Sequence, residues 1–179
     1  MKLRRIFVVI LIIALLVTSV YGISLFIVRS SGYHQYPTLE ELRPLDGAKA
    51  KHNACKIPIY KLKLMSTEQL AQALIDYPFL FETSIYSTGR LAADAILSHS
   101  SALQELVNRK GAKDVLLVKL KEVMQDPDPY VRVSNTESLT IILLYNHTLA
   151  PQLTPAEKEM LHPFDFHRRG PPDYPGYFD

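Results

Sequence analysis

The hydrophobic positions of this chain begin with a long uncharged run. Residues 6–28 contain no charged side chain, and Lys2, Arg4 and Arg5 precede them. As a helix, this run would extend roughly 35 Å, which is enough to cross a hydrocarbon layer about 30 Å thick. It exceeds the apolar core of a secretory signal peptide and continues past the best cleavage position, at Gly22. The pattern favours a transmembrane anchor over a signal peptide cleaved near Gly22.

The charges beside this run predict its orientation. Basic residues near a span tend to stay in the cytoplasm. Three of them precede the run, whereas only Arg29 closely follows it. We therefore expect residues 1–5 in the cytoplasm, lipid contact through residues 6–28, and the remaining chain outside the cytoplasm in a single-pass protein of the cell membrane. Cleavage near Gly22 would give a secreted protein instead.

Residues 29–63 show no sustained periodicity, apart from one possible helical turn at 39–43, and they are predicted to form a stalk. Glycines and prolines interrupt the pattern at Gly32, Pro37, Pro44, Gly47 and Pro58.

Five lysines lie between Asp46 and Glu68 with no acidic residue among them, namely Lys49, Lys51, Lys56, Lys61 and Lys63. A solvated stalk is the favoured interpretation of this stretch. The alternative is a segment that lies on anionic lipid, where each lysine contributes about 1 kcal/mol.

Residues 64–162 carry the helical signals of the chain. Capping patterns mark three helix starts: Ser66 with Gln69, Asp128 with Pro129, and Thr154 with Glu157. Further apolar pieces lie at 79–86, 91–98, 103–109 (with Ser101 as cap) and 112–125. Short connections between them predict an all-α fold, an antiparallel bundle of about six helices.

The segment 130–145 is ambiguous, because its branched residues from Leu139 to Tyr145 are also typical of a buried strand. A helix is favoured because no breaker follows Pro129 and no partner strand is evident. The tail, 163–179, is rich in proline and aromatic residues and cannot form a core of its own. It either packs on the helices or meets a partner.

Composition excludes some classes of protein. Lys2, Arg4, Arg5 and Arg29 account for four of the 20 basic residues, so the expected exposed portion has 16 basic against 18 acidic residues. A nucleic-acid-binding surface is therefore not expected. A single cysteine, Cys55, cannot form an internal disulfide, so core burial must stabilise the fold.

No catalytic, cofactor or metal site is identified from the sequence. His162, Asp165 and His167 have metal-ligand chemistry, but their spacing favours a solvated surface. Ser98, His99, Ser100 and Ser101 are better explained by helix capping than by nucleophilic catalysis. The scattered carboxylates Glu68, Asp76, Glu82, Asp94, Glu105 and Glu122 favour solvated helix faces.

Two further residues have alternative interpretations. Cys55 is expected to be a small buried hydrophobe, because nothing nearby except Lys56 would activate the thiol. Asn146-His147-Thr148 matches a glycosylation acceptor, which matters only in a eukaryotic host.

Two stretches resemble known families. Asp126-Pro127-Asp128-Pro129-Tyr130-Val131-Arg132 resembles the loop and helix start of HEAT-type repeats, over one helix. Cys55-Lys56-Ile57-Pro58, Leu62, Met65-Ser66-Thr67-Glu68-Gln69-Leu70 and Asp76-Tyr77-Pro78 resemble a family of uncharacterised secreted or membrane-tethered proteins of Gram-positive bacteria. The second resemblance implies a small helical ectodomain that includes Cys55 and the 76–78 corner, and it implies no activity.

Two hypotheses about function follow. The first is an extracytoplasmic, membrane-anchored binding or scaffolding module for a protein or peptide partner. The second is an envelope-associated hydrolase whose site is assembled only by folding. Ionisable groups gathered in a pocket with perturbed pKa values would favour the hydrolase, and an exposed apolar groove would favour the binding module.

Overall fold

The computed structural model describes residues 34–166, and every regular element in this range is helical. The α-helices are α1 (Leu39–Leu42), α2 (Gly47–Ala54), α3 (Ile59–Leu64), α4 (Thr67–Ile75), α5 (Gly89–His99), α6 (Ser101–Leu106), α7 (Ala112–Val123), α8 (Pro129–Tyr145) and α9 (Pro155–Leu161). Three 3-10 helices accompany them at Leu80–Ile85, Ala150–Gln152 and His162–Phe164. The prediction of an all-α fold is confirmed.

Capping side chains explain where the main helices begin. The Ser66 and Thr154 hydroxyls each accept a hydrogen bond from the backbone three residues on, and both capping boxes are complete. Asp128 caps α8, with Pro129 at its first position. Helix α8 continues without a break to Tyr145, so the helical interpretation of its second half is confirmed.

Two local predictions differ from the structure. The piece predicted at 79–86 is a 3-10 helix, Leu80–Ile85, rather than a regular α-helix. The N-cap of α6 is Ser100, one residue before the predicted Ser101. The Ser101 hydroxyl instead accepts a hydrogen bond from the Ile57 amide, 2.9 Å away, and so ties the start of α3 to α6.

The interpretation of residues 29–63 as a stalk is wrong for the part that the structure describes. Helices α1–α3 lie in residues 39–64, and Leu42, Cys55 and Leu62 belong to the same buried core as the later helices. Each of these helices has only four to eight residues. Helices this short depend on tertiary packing and present too few turns to show a period.

Helix α8 lies at the centre of the domain. It packs against α5, α7, α9 and the 3-10 helix Leu80–Ile85. Its second half is buried, with Leu139, Ile141, Ile142 and Leu143 inaccessible to solvent. The Ser138 hydroxyl lies 2.7 Å from that of Thr83, which satisfies two buried polar groups and fixes the 3-10 helix on α8.

The two ends of the chain lie partly outside the described residues. The predicted anchor at 6–28 is outside them, and no helix within 34–166 is long and apolar enough to cross a membrane. Of the predicted tail, Phe166 packs against the small cluster formed by Ala92, Ala93 and Ile141. Residues 167–179 lie outside the described range.

Candidate metal centre

Three side chains with metal-ligand chemistry meet where the amino-terminal helices contact the rest of the domain. His52 belongs to α2, Glu82 to the 3-10 helix Leu80–Ile85, and His99 is the last residue of α5. One ligand atom from each lies within 4.8 Å of the other two. We call these residues the His52–Glu82–His99 cluster. Its members are far apart in the sequence, so only the fold brings them together.

Aromatic neighbours hold the His52 ring in place. The ring is stacked on that of His99, with centroids 4.0 Å apart and planes at 17°. Phe79 meets it edge-on at 4.7 Å. His52 is only 5% exposed, so its orientation is set by core packing rather than by solvent.

Tyr77 is the hydrogen-bond partner of one ring nitrogen of His52. The Tyr77 Oη atom lies 2.7 Å from Nδ1 of His52, while Nε2 of the same ring lies 3.5 Å from Oε2 of Glu82. If Nδ1 carries the proton and donates to Tyr77, the lone pair of Nε2 is directed towards Glu82. A histidine ligand commonly uses its second ring nitrogen in this way, since the outer hydrogen bond fixes the tautomer.

Burial favours the uncharged form of each side chain in the cluster. It lowers the pKa of His52, and burial together with the nearby His52 lowers the pKa of His99. Burial also raises the pKa of Glu82, against the opposing effect of His99. Both imidazoles are therefore expected to be neutral at pH 7, which is the form that binds a metal ion.

The thiol and phenol beside the cluster remain protonated. Burial raises the pKa of Cys55. Burial, followed by the nearby Cys55 and Glu82, raises the pKa of Tyr77 well above its usual range. Neither group is therefore an anionic ligand at neutral pH, and Tyr77 serves the cluster as a hydrogen-bonding partner.

The cluster is close to the geometry of a zinc site but slightly wider. Zinc binds histidine nitrogen at about 2.1 Å, which places tetrahedral ligand atoms about 3.4 Å apart. The atoms of the cluster lie within 4.8 Å, so binding needs side-chain movements on the order of 1 Å. Nδ1 of His99 is buried and has no hydrogen-bond partner. An unpaired buried nitrogen of this kind is costly unless a ligand completes it.

Of the candidate residues His162, Asp165 and His167, the structure describes the first two. Asp165 is fully buried, contrary to the expected solvated surface, and its Oδ2 accepts a hydrogen bond of 2.5 Å from the Tyr145 hydroxyl. His162 and Asp165 do not join a group of three metal-ligand residues. His167 lies outside the described residues.

The serines around His99 have structural roles. Ser100 caps α6, and the Ser98 hydroxyl donates to the Ala95 carbonyl. None of these contacts joins a serine hydroxyl to the His99 ring, which is stacked on His52 instead. The capping interpretation is confirmed for Ser100 only, since Ser98 and Ser101 make other hydrogen bonds.

The other predicted residues are buried to different degrees. Cys55 is a buried free thiol, as expected. Asn146 is fully buried, and its side-chain oxygen accepts hydrogen bonds from the Thr148 and Leu149 amides. Glu105 is not on a solvated face, because its carboxylate pairs with Lys63 and Arg109.

Two members of the cluster were singled out from the sequence, but their proximity in space was not predicted. Glu82 and His99 were candidates of different kinds, and His52 lay in the predicted stalk. The resemblance of residues 55–78 implied that Cys55 and the 76–78 corner belong to the domain, and the burial of Cys55 and Tyr77 agrees with it. That clue could have placed His52, one helical turn before Cys55, inside the fold.

An open groove lies elsewhere on the domain. Its volume is about 540 Å³, and Asp94, Gln104 and His147 are among the residues that line it. None of the three cluster residues lines this groove.

Fold and cluster together define an all-helical domain with a partly buried two-histidine, one-carboxylate centre. Comparison with protein families, with curated proteins and with solved structures finds no match to this chain.

Proposed function

We propose that this protein is an extracytoplasmic, membrane-anchored binding module, and that it binds a divalent transition-metal ion at the His52–Glu82–His99 cluster. The convergence of these three side chains within 4.8 Å carries the proposal. Two imidazoles and one carboxylate suit zinc and its neighbours among the transition metals better than calcium or magnesium, which prefer oxygen ligands alone.

The competing interpretation is a polar group that only stabilises the core. In that case, Nε2 of His52 donates to Glu82, and the Tyr77 hydroxyl donates to Nδ1. In this network Nδ1 of His99 has no hydrogen-bond partner, so this ring nitrogen is available to a ligand.

Thermal unfolding of the full-length protein, in detergent if its amino-terminal segment requires it, tests the proposal. Free zinc at a hundredfold excess over its dissociation constant should stabilise the fold by about 2.7 kcal/mol and raise the Tm by roughly 10 °C. Glu82→Gln and His99→Gln should remove this increment with little change in volume. His147→Gln is the matched control, because His147 is exposed and lies outside the cluster.

A second readout separates specific binding from surface adsorption. Equilibrium dialysis should find one zinc ion per chain, and cobalt should give the intense visible absorption of a four-coordinate site. A zinc-induced Tm rise of the same size in Glu82→Gln and His99→Gln as in the wild type would overturn the proposal. So would the absence of any rise in the wild type.

The second candidate function is a metal-dependent envelope hydrolase. The observation that favours it is the number of ligands, since three protein groups leave the fourth position of a tetrahedral zinc ion to water. Such a water has a pKa near 7 and acts as a nucleophile. Zinc-dependent turnover of ester or peptide substrates that disappears in His99→Gln would support it. Zinc binding without turnover of these substrates would contradict the hydrolase and leave the binding module as the remaining hypothesis.

We further propose that the module binds a protein or peptide partner. Its helices are proposed to have an antiparallel, HEAT-like arrangement. The first turns of α8 support the proposal of a partner, because they expose Tyr130, Val131 and Val133. The second half of the same helix is buried. A photocrosslinking residue at position 130, compared with one at position 90, tests this surface in intact cells. Equal capture at the two positions would count against it.

A further inference from the structure

Helix α3 exposes two large hydrophobic residues at its start. Ile59 is 72% exposed and Tyr60 is 66% exposed, although they are adjacent and belong to a domain with a well-filled core. Leu62, in the same helix, is buried in that core. The exposure of Ile59 and Tyr60 therefore follows from the way α3 is docked.

Three lysines lie within four residues of Ile59 and Tyr60 in the sequence. Lys56 precedes α3, and Lys61 and Lys63 lie within it. No acidic residue occurs in the sequence from 47 to 67. We call Lys56, Ile59, Tyr60, Lys61 and Lys63 the α3 edge.

One lysine of this edge has an acidic neighbour. Lys63 Nζ lies 2.7 Å from Oε2 of Glu105, yet its side chain remains 62% exposed. Arg109 binds the other carboxylate oxygen of Glu105 at 2.9 Å. Two cations, Lys63 and Arg109, thus share the single carboxylate of Glu105. The three side chains together keep a net positive charge beside α3.

We propose that the α3 edge rests on the anionic surface of a lipid bilayer. Its composition suits this partner, because tyrosine and aliphatic side chains enter the headgroup region while lysines remain at the phosphates. An acidic protein would also attract the lysines, but the two exposed hydrophobic residues at the centre favour an interface with an apolar interior. The inference rests on the proposed membrane anchor and does not depend on metal binding.

The start of the described chain supports this placement. Lys61 contributes, after burial, to the lowered pKa of His34, so α3 lies close to the point where the described chain begins. The predicted anchor ends at Val28, six residues earlier. Six residues span about 20 Å at most. With the anchor in the bilayer, the α3 edge is held within reach of the headgroups.

The chain contains no tryptophan, so a single introduced indole reports its own surroundings. The experiment places full-length Tyr60→Trp protein in nanodiscs of zwitterionic lipid, with or without anionic phosphatidylglycerol, in the presence of a metal chelator. In anionic discs its emission should shift to the blue and be quenched by brominated lipid chains. Tyr130→Trp is the matched control, because Tyr130 is as exposed as Tyr60 and lies on a different helix. Its emission should stay at the wavelength of a solvated indole.

Charge variants test the electrostatic part of the inference in the same Tyr60→Trp protein. Lys56→Gln and Lys61→Gln should each lower the ratio of docked to undocked protein in anionic discs about fivefold, and added salt should have a similar effect. Lys63 is left in place, since its ion pair with Glu105 would complicate the result.

Three outcomes would overturn the inference. The first is solvent-like emission of Tyr60→Trp in both kinds of disc. The second is equal quenching of Tyr60→Trp and Tyr130→Trp. Shielding of Tyr60→Trp in intact cells without quenching by brominated lipid would assign the surface to a protein instead, and would also overturn it.

Discussion

Gly89 shows how one residue sets the packing between α5 and α8. A Cβ atom at this position would overlap the ring of Tyr145, which lies directly against the glycine. The ring cannot easily move away, because its hydroxyl donates to Asp165 and its carbons pack beside the cluster of Ala92, Ala93 and Ile141. Gly89 is needed for the space it leaves rather than for its backbone freedom.

Gly89→Ala is therefore expected to destabilise the domain by about 1–3 kcal/mol, the usual cost of overpacking a filled site. Urea unfolding followed by circular dichroism gives the free energy of unfolding. Arg90→Ala is the control, because Arg90 is exposed and should change stability by no more than about 0.5 kcal/mol. Equal stability of Gly89→Ala and the wild type would show that Tyr145 does not pack as described.

At the same scale, His52 explains why the candidate site was not predicted. Its chemistry is that of any solvent-exposed histidine until the rings of Tyr77, Phe79 and His99 surround it. Those partners lie 25 to 47 residues away in the sequence. No local pattern encodes such a meeting, whereas the capping role of Asp128 depends only on its immediate neighbours and was predicted.

At the scale of elements, one ion pair joins α9 to α7. Nζ of Lys113 lies 2.7 Å from Oε1 of Glu157, and Glu157 also completes the capping box of Thr154. The hydrogen bond from Lys113, followed by that from the Thr154 backbone, lowers the pKa of Glu157 from 4.5 to about 2. Because the folded pKa is depressed, this stabilisation is present above pH 4.5 and is lost as the pH falls towards 2.

Glu157→Gln should accordingly be less stable than the wild type at pH 7, and the difference should shrink below pH 4.5 and vanish near pH 2. Unfolding free energies measured across this range check the expectation. Glu159→Gln on the same helix is the control and should show no such convergence, since Glu159 is exposed and makes no ion pair with Lys113. If the difference in unfolding free energy between Glu157→Gln and the wild type does not depend on pH, the effect comes from packing rather than from charge.

The helices also show which elements cannot be predicted from sequence patterns. Helices α4, α7 and α8 have nine or more residues, and their apolar spacing or caps predicted them. Helices α1–α3 have capping or proline signals as well, but each buries a single residue, Leu42, His52 and Leu62 in turn, and later helices complete the core around them. A short helix of this kind resembles a linker until its partner is known.

At the scale of the whole molecule, folding of residues 34–64 changes the expected distance between domain and membrane. A flexible stalk of that length would let the helices move freely, tens of ångströms from the bilayer. In the structure these residues instead form short helices that contribute Leu42, Cys55 and Leu62 to the core. The domain is then joined to the predicted anchor by only a few residues, which is the arrangement that the proposed lipid contact requires.

The buried carboxamide of Asn146 has a practical consequence for producing this protein. In a eukaryotic secretory pathway, oligosaccharide is transferred to Asn-x-Thr motifs while the chain is still emerging, before Asn146 reaches its interior position. A branched sugar on the side-chain nitrogen cannot follow it into the protein interior, because Asn146 is fully buried and its side-chain oxygen caps the adjoining turn. Chains modified in this way would be trapped short of the native packing, so a bacterial host, which leaves the motif untouched, is the appropriate source of material.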